Sequence, residues 1–522
     1  MNIWCGRRNL TAAAAIVLGC IGVGFRAWLT AVDAPPTNSD EATFGLAALH
    51  IMHGKDFPVF LYGQHYMGIA ESYLAAPMIW LNGPTASSLR VGTLASYALF
   101  LIAIYFLTKR LFSRGLALLV IGLLALGSDR VVKDRIIADG STELAAIAAL
   151  LILVTSRLAA ADNDQRRPLY FGAWGFLAGF SLWDHLLILP YLACAAVVLA
   201  QTCARELRGK SGLIAVAGLL LGASPMIAHN LMSPFKNNFL MVLLHHNTVG
   251  SEASLVDRIH GGVMLGIPLA TGLCDPSHCS RWQMLWGPAY LALLVLSAII
   301  AVLMYRTKLG PDRARALGSL TLSLGGIITI LSYARTPAAA DTPIESARYL
   351  ELLLVSLPAA LWPLWRFGSA KFWVVGRMLS IGSIATLAAM MIHATIMLIQ
   401  TVPTYSVQAG NQRDLLAAID GLGITRFYTE YWTCNRLIYA ANERIACAVL
   451  QDDLQPGLNR YRPYVEMVNK ASSVAYVAPV GSTFDLNVGR YLSDVDPQVV
   501  EAAGYRLYLP GRPTHPTPQQ SP

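Results

Sequence analysis

Apolar residues in this chain gather in long runs separated by short polar connections. Runs of a length that crosses a hydrocarbon layer, roughly 17–25 residues, or that approach it fall at residues 10–29, 89–108, 115–127, 144–158, 169–183, 186–203, 213–229, 285–305, 317–333, 349–365 and 378–400. The runs at 115 and 144 are short and need flanking residues to span. The pattern predicts a mainly α, polytopic membrane protein of about eleven transmembrane helices. Residues 33–88 are too long for a plain connection. There Phe44, Ala47, Ala48 and Ile51 recur at helical spacing. Ser39 is placed to cap that helix, the acids Asp40 and Glu41 stand in its first turn, and Gly54 ends it. A second apolar stretch, 66–81, follows. With Tyr62, Tyr66, Tyr73 and Trp80, these two helices are expected at the membrane interface.

Beyond residue 400 the pattern changes. Residues 414–422 read as a helix closed by Gly423, and 426–431 and 471–478 as strands. This gives a transmembrane domain over 1–400, a small α/β domain over 401–509, and a Pro-rich segment, 510–522, expected to be disordered.

Charge gives the orientation. Only 13% of the 522 residues are charged, against about 25% in soluble domains. The net charge of +8 comes in small groups on alternate connections: Arg7 and Arg8; Lys109, Arg110 and Arg114; Arg157, Arg166 and Arg167; Arg205, Arg208 and Lys210; Arg306, Lys308, Arg313 and Arg315; Arg366, Lys371 and Arg377. By the positive-inside rule, the amino terminus is cytoplasmic and the C-terminal domain external, facing the periplasm of a bacterial inner membrane. Basic runs that would track nucleic acid are absent from the sequence. An alternative for the first run is a cleaved signal peptide, which Val32-Asp33-Ala34 loosely fits but Arg26 interrupts. Four cysteines, Cys274, Cys279, Cys434 and Cys447, fall in external segments and are read as two disulfides. His278 invites a zinc reading of the first pair, which a disulfide-closed loop makes unnecessary.

The candidate chemistry gathers on the same external side. Asp40 and Glu41 follow the first run. Asp129, Arg130, Lys133, Asp134, Arg135, Asp139 and Glu143 follow the third. Asp184 and His185 separate the fifth and sixth, and Arg348 and Tyr349 open the tenth. Ionisable groups near membrane depth are costly and mark function by default. A carboxylate in an outward cavity can act as general base, while Arg and Lys can hold a lipid phosphate. Plainer readings are helix capping for Asp40 and Glu41, solvated turns for 129–135 and 184–185, and snorkelling for Arg348.

The stretch Arg26…Asn38-Ser39-Asp40-Glu41-Ala42…Ala47…Gly54 resembles the start of the C-type glycosyltransferases, as found in bacterial protein O-mannosyltransferases and the lipid A aminoarabinose transferase. Tyr62-Gly63-Gln64…Glu71, Arg90, Gly175…Gly179…Trp183, Gly222…Pro225…Asn230 and Arg348-Tyr349 extend the likeness. The resemblance implies an inverting transfer of a sugar from a polyprenyl-phosphate donor, such as an undecaprenyl lipid, to an acceptor lipid, glycan or protein of the cell envelope. Asp40 matches the catalytic carboxylate, with Glu41 in support. Asp129, Asp139 and Glu143 compete for a second acidic position. Arg348, with Lys133 or Arg135, is implied at the donor phosphate, and Tyr62, Gln64, His65, Glu71, Asp184, His185 and Tyr349 in the substrate pocket. The family is divided on metal; with no carboxylate cage in the sequence, none is expected here, although a divalent ion stays open. Two rivals from other classes are a transporter or lipid flippase, which calls for charges near the midplane, and a non-catalytic scaffold that binds a partner through its external tail.

Overall fold

In the computed structural model the described residues are 2–160, 164–235, 238–239, 241, 253–275, 279–369, 374–511 and 514–516, with side chains from residue 10 onward. His278, Lys371 and most of 510–522 lie outside them. Each of the eleven apolar runs falls on helix. Among the described residues, five helices are long and apolar enough to cross a membrane unaided: Leu10–Ala31, Ala86–Leu111, Arg281–Thr307, Gly310–Ala334 and Val374–Gly421. Two bent pairs cover two further runs: Lys210–Gly222 with Ser224–Met232, and Pro343–Leu350 with Leu353–Gly368, turned by 60° and 75°. The first bend falls beside Pro225, whose missing N–H starts a new helix more readily than it continues an old one. Arg114–Ala125, Leu144–Leu158 and Leu186–Thr202 are shorter apolar helices. The chain is a multi-pass membrane protein.

We label the first helices α1 (Asn2–Ala31), α2 (Ser39–Met52), α3 (Ala70–Asn82), α4 (Ala86–Leu111), α5 (Arg114–Ala125), α6 (Asp129–Lys133), α7 (Leu144–Leu158) and α8 (Arg167–Asp184). A two-stranded hairpin, β1 (Phe60–Leu61) and β2 (Gln64–Gly68), precedes α3. Within the bundle, small residues permit close backbone packing. A Cβ at Gly175 would stand 2.0 Å from the Ala215 carbonyl oxygen, and one at Gly179 2.1 Å from that of Leu219. The side chain of Arg26 is fully buried against α5. It donates to the carbonyls of Leu124 and Ala125 at the helix end, at 3.3 Å each, and lies over the Tyr97 ring.

The helix Val374–Gly421 does not stop where its apolar run ends. It continues for 48 residues into the C-terminal domain, absorbing the separate helix expected at 414–422. The domain is an α/β sheet of β3 (Arg426–Thr429), β4 (Ala446–Val449), β5 (Ala475–Pro479), β6 (Gln498–Ala502) and β7 (Tyr505–Leu509) in the order β4-β3-β5-β7-β6. The first three strands of that order run parallel, and β7 and β6 are antiparallel. A disulfide joins Cys434 to Cys447 across this domain, and another joins Cys274 to Cys279.

Two local expectations change. The N-cap of α2 is Asn38, whose side-chain oxygen accepts from the Glu41 N–H at 2.8 Å, and Ser39 is already helical. The Ser39 hydroxyl instead reaches the Tyr431 carbonyl. Nor does α2 rest at an interface. Its residues from Glu41 to His50 are all buried, because helix Tyr431–Ala440 of the C-terminal domain packs on it and shares its core. Gly45 makes this possible, since a Cβ there would lie 2.6 Å from the Tyr439 ring. Helix α3 does keep an exposed apolar side, with Tyr73, Leu74, Trp80 and Leu81 outward.

Candidate functional site

Asp40 stands in the first turn of α2, where N-terminal amides favour an anion. Its Oδ1 accepts from the Tyr431 hydroxyl and, at 2.8 Å, from Arg460 Nη2. Arg460 Nε in turn donates to the Tyr431 oxygen at 2.7 Å. The three side chains form a closed triangle that spans the membrane bundle and the C-terminal domain. The other oxygen, Oδ2, takes no hydrogen bond among the described residues. The Asp40 side chain keeps 20% exposure while Arg460 keeps 6%, so one oxygen is anchored and the other is available.

Glu41 does not share this position. Both of its oxygens accept from Arg90, through Nε and Nη2 at 2.7 Å each, in a pair from which solvent is fully excluded. The two acids therefore part: Asp40 stays partly exposed, and Glu41 pins α2 to α4.

Arg348 brings a cation towards Asp40. Its guanidinium lies 5.5 Å from the centre of the Tyr349 ring, with Asp139 and Asp40 as its carboxylate neighbours. It closes no salt bridge among the described residues. Tyr66 lies near Tyr349, Arg348 and Arg460. The imidazole of His185 is also close to Arg348. Burial first, then that positive charge, pulls its pKa down to about 4, so it is neutral at pH 7.

Behind this lies a group of buried acids. Glu71 accepts from the Gly140 amide at 2.9 Å and from the Thr142 hydroxyl at 2.5 Å, which ties α3 to the turn before α7. Asp139 accepts from the Ser141 hydroxyl at 2.8 Å. Burial, then the charge of Asp134, raises the pKa of Asp139 to about 6. Burial, then the charge of Asp184, raises that of Glu143 to about 8. Asp184 is 1% exposed, and neither of its carboxylate oxygens has a hydrogen-bond partner among the described residues.

Other candidates stand apart. Asp129 accepts from the Tyr405 hydroxyl at 2.6 Å, on the long helix, and its charge neighbours are Lys133, Asp275 and Asp134. Arg135 is buried, with its guanidinium committed to Glu351 and the Thr142 carbonyl. Lys133 lines a separate cleft with Trp432 and Arg436. Tyr62 bonds to His50 and Asp56 below the C-terminal domain. His65 stacks on His229, and Gln64 lies on β2. No group of three or more His, Cys, Asp or Glu among the described residues is arranged to hold a metal.

No protein-family model and no curated sequence matches the chain. Solved structures do. The lipid A aminoarabinose transferase ArnT from Cupriavidus metallidurans, bound to undecaprenyl phosphate, superposes with a TM-score of 0.61 at 11% identity, over 97% of this chain and 98% of that one. Its apo state gives 0.59 at 13%. The chain has the C-type glycosyltransferase fold. The apo Archaeoglobus fulgidus oligosaccharyltransferase gives 0.50 at 12% identity, over 89% of this chain and 69% of that one.

Within this C-type fold, the residues that sequence reasoning missed are Tyr431, Arg460 and Glu351. The first two lie 391 and 420 positions from Asp40, and no local pattern couples them to it. Glu351 carried a readable signal: it is a carboxylate within an apolar run, where a charge needs a partner. That partner is Arg135.

Proposed function

We propose that this protein transfers a sugar from a polyprenyl-phosphate donor to an acceptor hydroxyl, with inversion, on the membrane face that carries the C-terminal domain. In the orientation read from charge, this is the periplasmic face of a bacterial inner membrane. The observation that carries the proposal is the split environment of Asp40: one oxygen held by Arg460 and Tyr431, the other free, with the Arg348 guanidinium as a charge neighbour. The fold agrees with it, and the ArnT structure that shares this fold holds undecaprenyl phosphate.

In this reading the acceptor hydroxyl gives its proton to Asp40 Oδ2 as its oxygen attacks the anomeric carbon. The bond from that carbon to the donor phosphate breaks on the opposite side. The electron pair leaves with the phosphate, whose growing charge is met by Arg348. Attack opposite the leaving group inverts the anomeric centre. Glu41 keeps α2 in place through Arg90, and no step is assigned to a metal. Asp40→Asn keeps the shape and removes the base. It is expected to lower turnover by about 10²–10⁴-fold with unchanged thermal unfolding, measured with labelled polyprenyl-phosphate sugars in nanodiscs. Near-normal turnover in that variant sinks the assignment. A chelator is expected to leave the rate unchanged.

A further inference from the structure

Beside the Asp40 triangle lies a cleft that the transfer chemistry does not use. It has a volume of about 230 Å³ and is lined by Asn38, Lys133, Tyr405, Gln408, Trp432 and Arg436. Four parts of the chain converge on it: the segment before α2, the end of α6, the long helix, and helix Tyr431–Ala440. Two of its lining residues adjoin the catalytic group along the chain. Asn38 caps the helix that carries Asp40, and Trp432 follows Tyr431, which bonds to Asp40.

Its chemistry is mixed in a specific way. Lys133 and Arg436 supply two cations, and neither closes an ion pair among the described residues. Arg436 is held at one edge by the Tyr505 hydroxyl at 2.5 Å, while its Nε is buried and has no partner among the described residues. Trp432 is 55% exposed, an unusual state for so large an apolar ring, and its neighbour Tyr431 props it edge-on with centroids 5.1 Å apart. Gln408 and Asn38 add amides. The nearby carboxylate of Asp129 is engaged by the Tyr405 hydroxyl and has Lys133 and Asp275 as charge neighbours. Two cations call for an anion that accepts several hydrogen bonds. A flat exposed ring with amides beside it suits the apolar face and hydroxyls of a pyranose.

We infer that this cleft binds an anionic sugar unit of the acceptor, a saccharide carrying a carboxylate or phosphate, and so holds the acceptor with its reacting hydroxyl towards Asp40. The assignment rests on the transfer reading for the word acceptor, but the binding itself can be measured without donor or turnover.

The test uses the full-length protein in phosphatidylcholine nanodiscs and follows tryptophan fluorescence on titration with glucuronate, glucose 6-phosphate and glucose. The two anionic sugars are expected to change the signal saturably, and Trp432→Phe to remove that change. Raising the salt is expected to weaken binding, and Lys133→Ala to weaken it tenfold or more. Arg436→Lys, which keeps the charge, is expected to retain binding that Arg436→Gln loses, with unfolding temperature read for each variant. Inorganic phosphate and phosphatidic acid in the nanodisc offer the anion without the sugar and are expected to compete poorly. Equal binding of glucose, equal competition by phosphatidic acid or by an acidic peptide, or indifference to Lys133→Ala overturns the inference. A failure here leaves the Asp40 assignment standing, and a failure of Asp40→Asn to lower turnover leaves the binding result standing.

Discussion

Asp40 depends on residues far from it in sequence. Arg460 contacts both Asp40 and Tyr431, so it sets which oxygen of the carboxylate is turned outward. Arg460→Ala is expected to cut turnover at least tenfold, mainly in kcat, because the base loses its orientation while the donor phosphate keeps Arg348. Arg460→Lys restores charge but not the two-armed geometry and is expected to recover only part of the loss. Steady-state kinetics with labelled donor separates these outcomes. The acidic pair itself was legible in the sequence from its position after the first apolar run, and Arg348 from its place at the tenth. The division of labour between Asp40 and Glu41 was not. Adjacent residues on a helix point about 100° apart, and only the packing partners decide which one is buried.

At the scale of elements, α2 and the turn before α7 carry the energetic cost of the site. The Glu41–Arg90 pair is fully buried, so removing one partner strands the other. Arg90→Ala is expected to destabilise the protein by about 3–5 kcal/mol, seen as a lowered unfolding temperature in detergent. The turn gives a pH signature. Glu143 is raised from its ordinary 4.5 to about 8 by burial and by Asp184, so the folded state holds this proton more tightly than the unfolded chain. Its contribution to stability is complete below pH 4.5 and is lost as pH rises through 8. Unfolding temperature is expected to fall across that window, and Glu143→Gln to flatten the fall; an unchanged slope in the variant sinks the assignment. Helical periodicity in 40–54 was sufficient to place α2. The burial of α2 was not readable there, because its cover comes from Tyr431–Ala440.

At the scale of the whole molecule, apolar runs placed the bundle, while strand patterns found β3 and β5 but not β4, β6 and β7. The boundary drawn at residue 400 did not anticipate the continuity of Val374–Gly421, because a helix is blind to where its surroundings change from lipid to water. That continuity has a mechanical consequence. A 48-residue helix is about 72 Å long, more than twice the hydrocarbon thickness of about 30 Å. Its first part, up to residue 400, lies in the bilayer, and its far end joins the domain that holds Arg460 and Tyr431. A bilayer thinner than its apolar half tilts such a rod, a thicker one is drawn in around it, and either adjustment reaches the domain whose Arg460 and Tyr431 hold Asp40. Turnover is therefore expected to peak at one acyl-chain length and fall on either side, in nanodiscs stepped from short to long lipids. The thickness of the membrane then becomes a control on the chemistry above it.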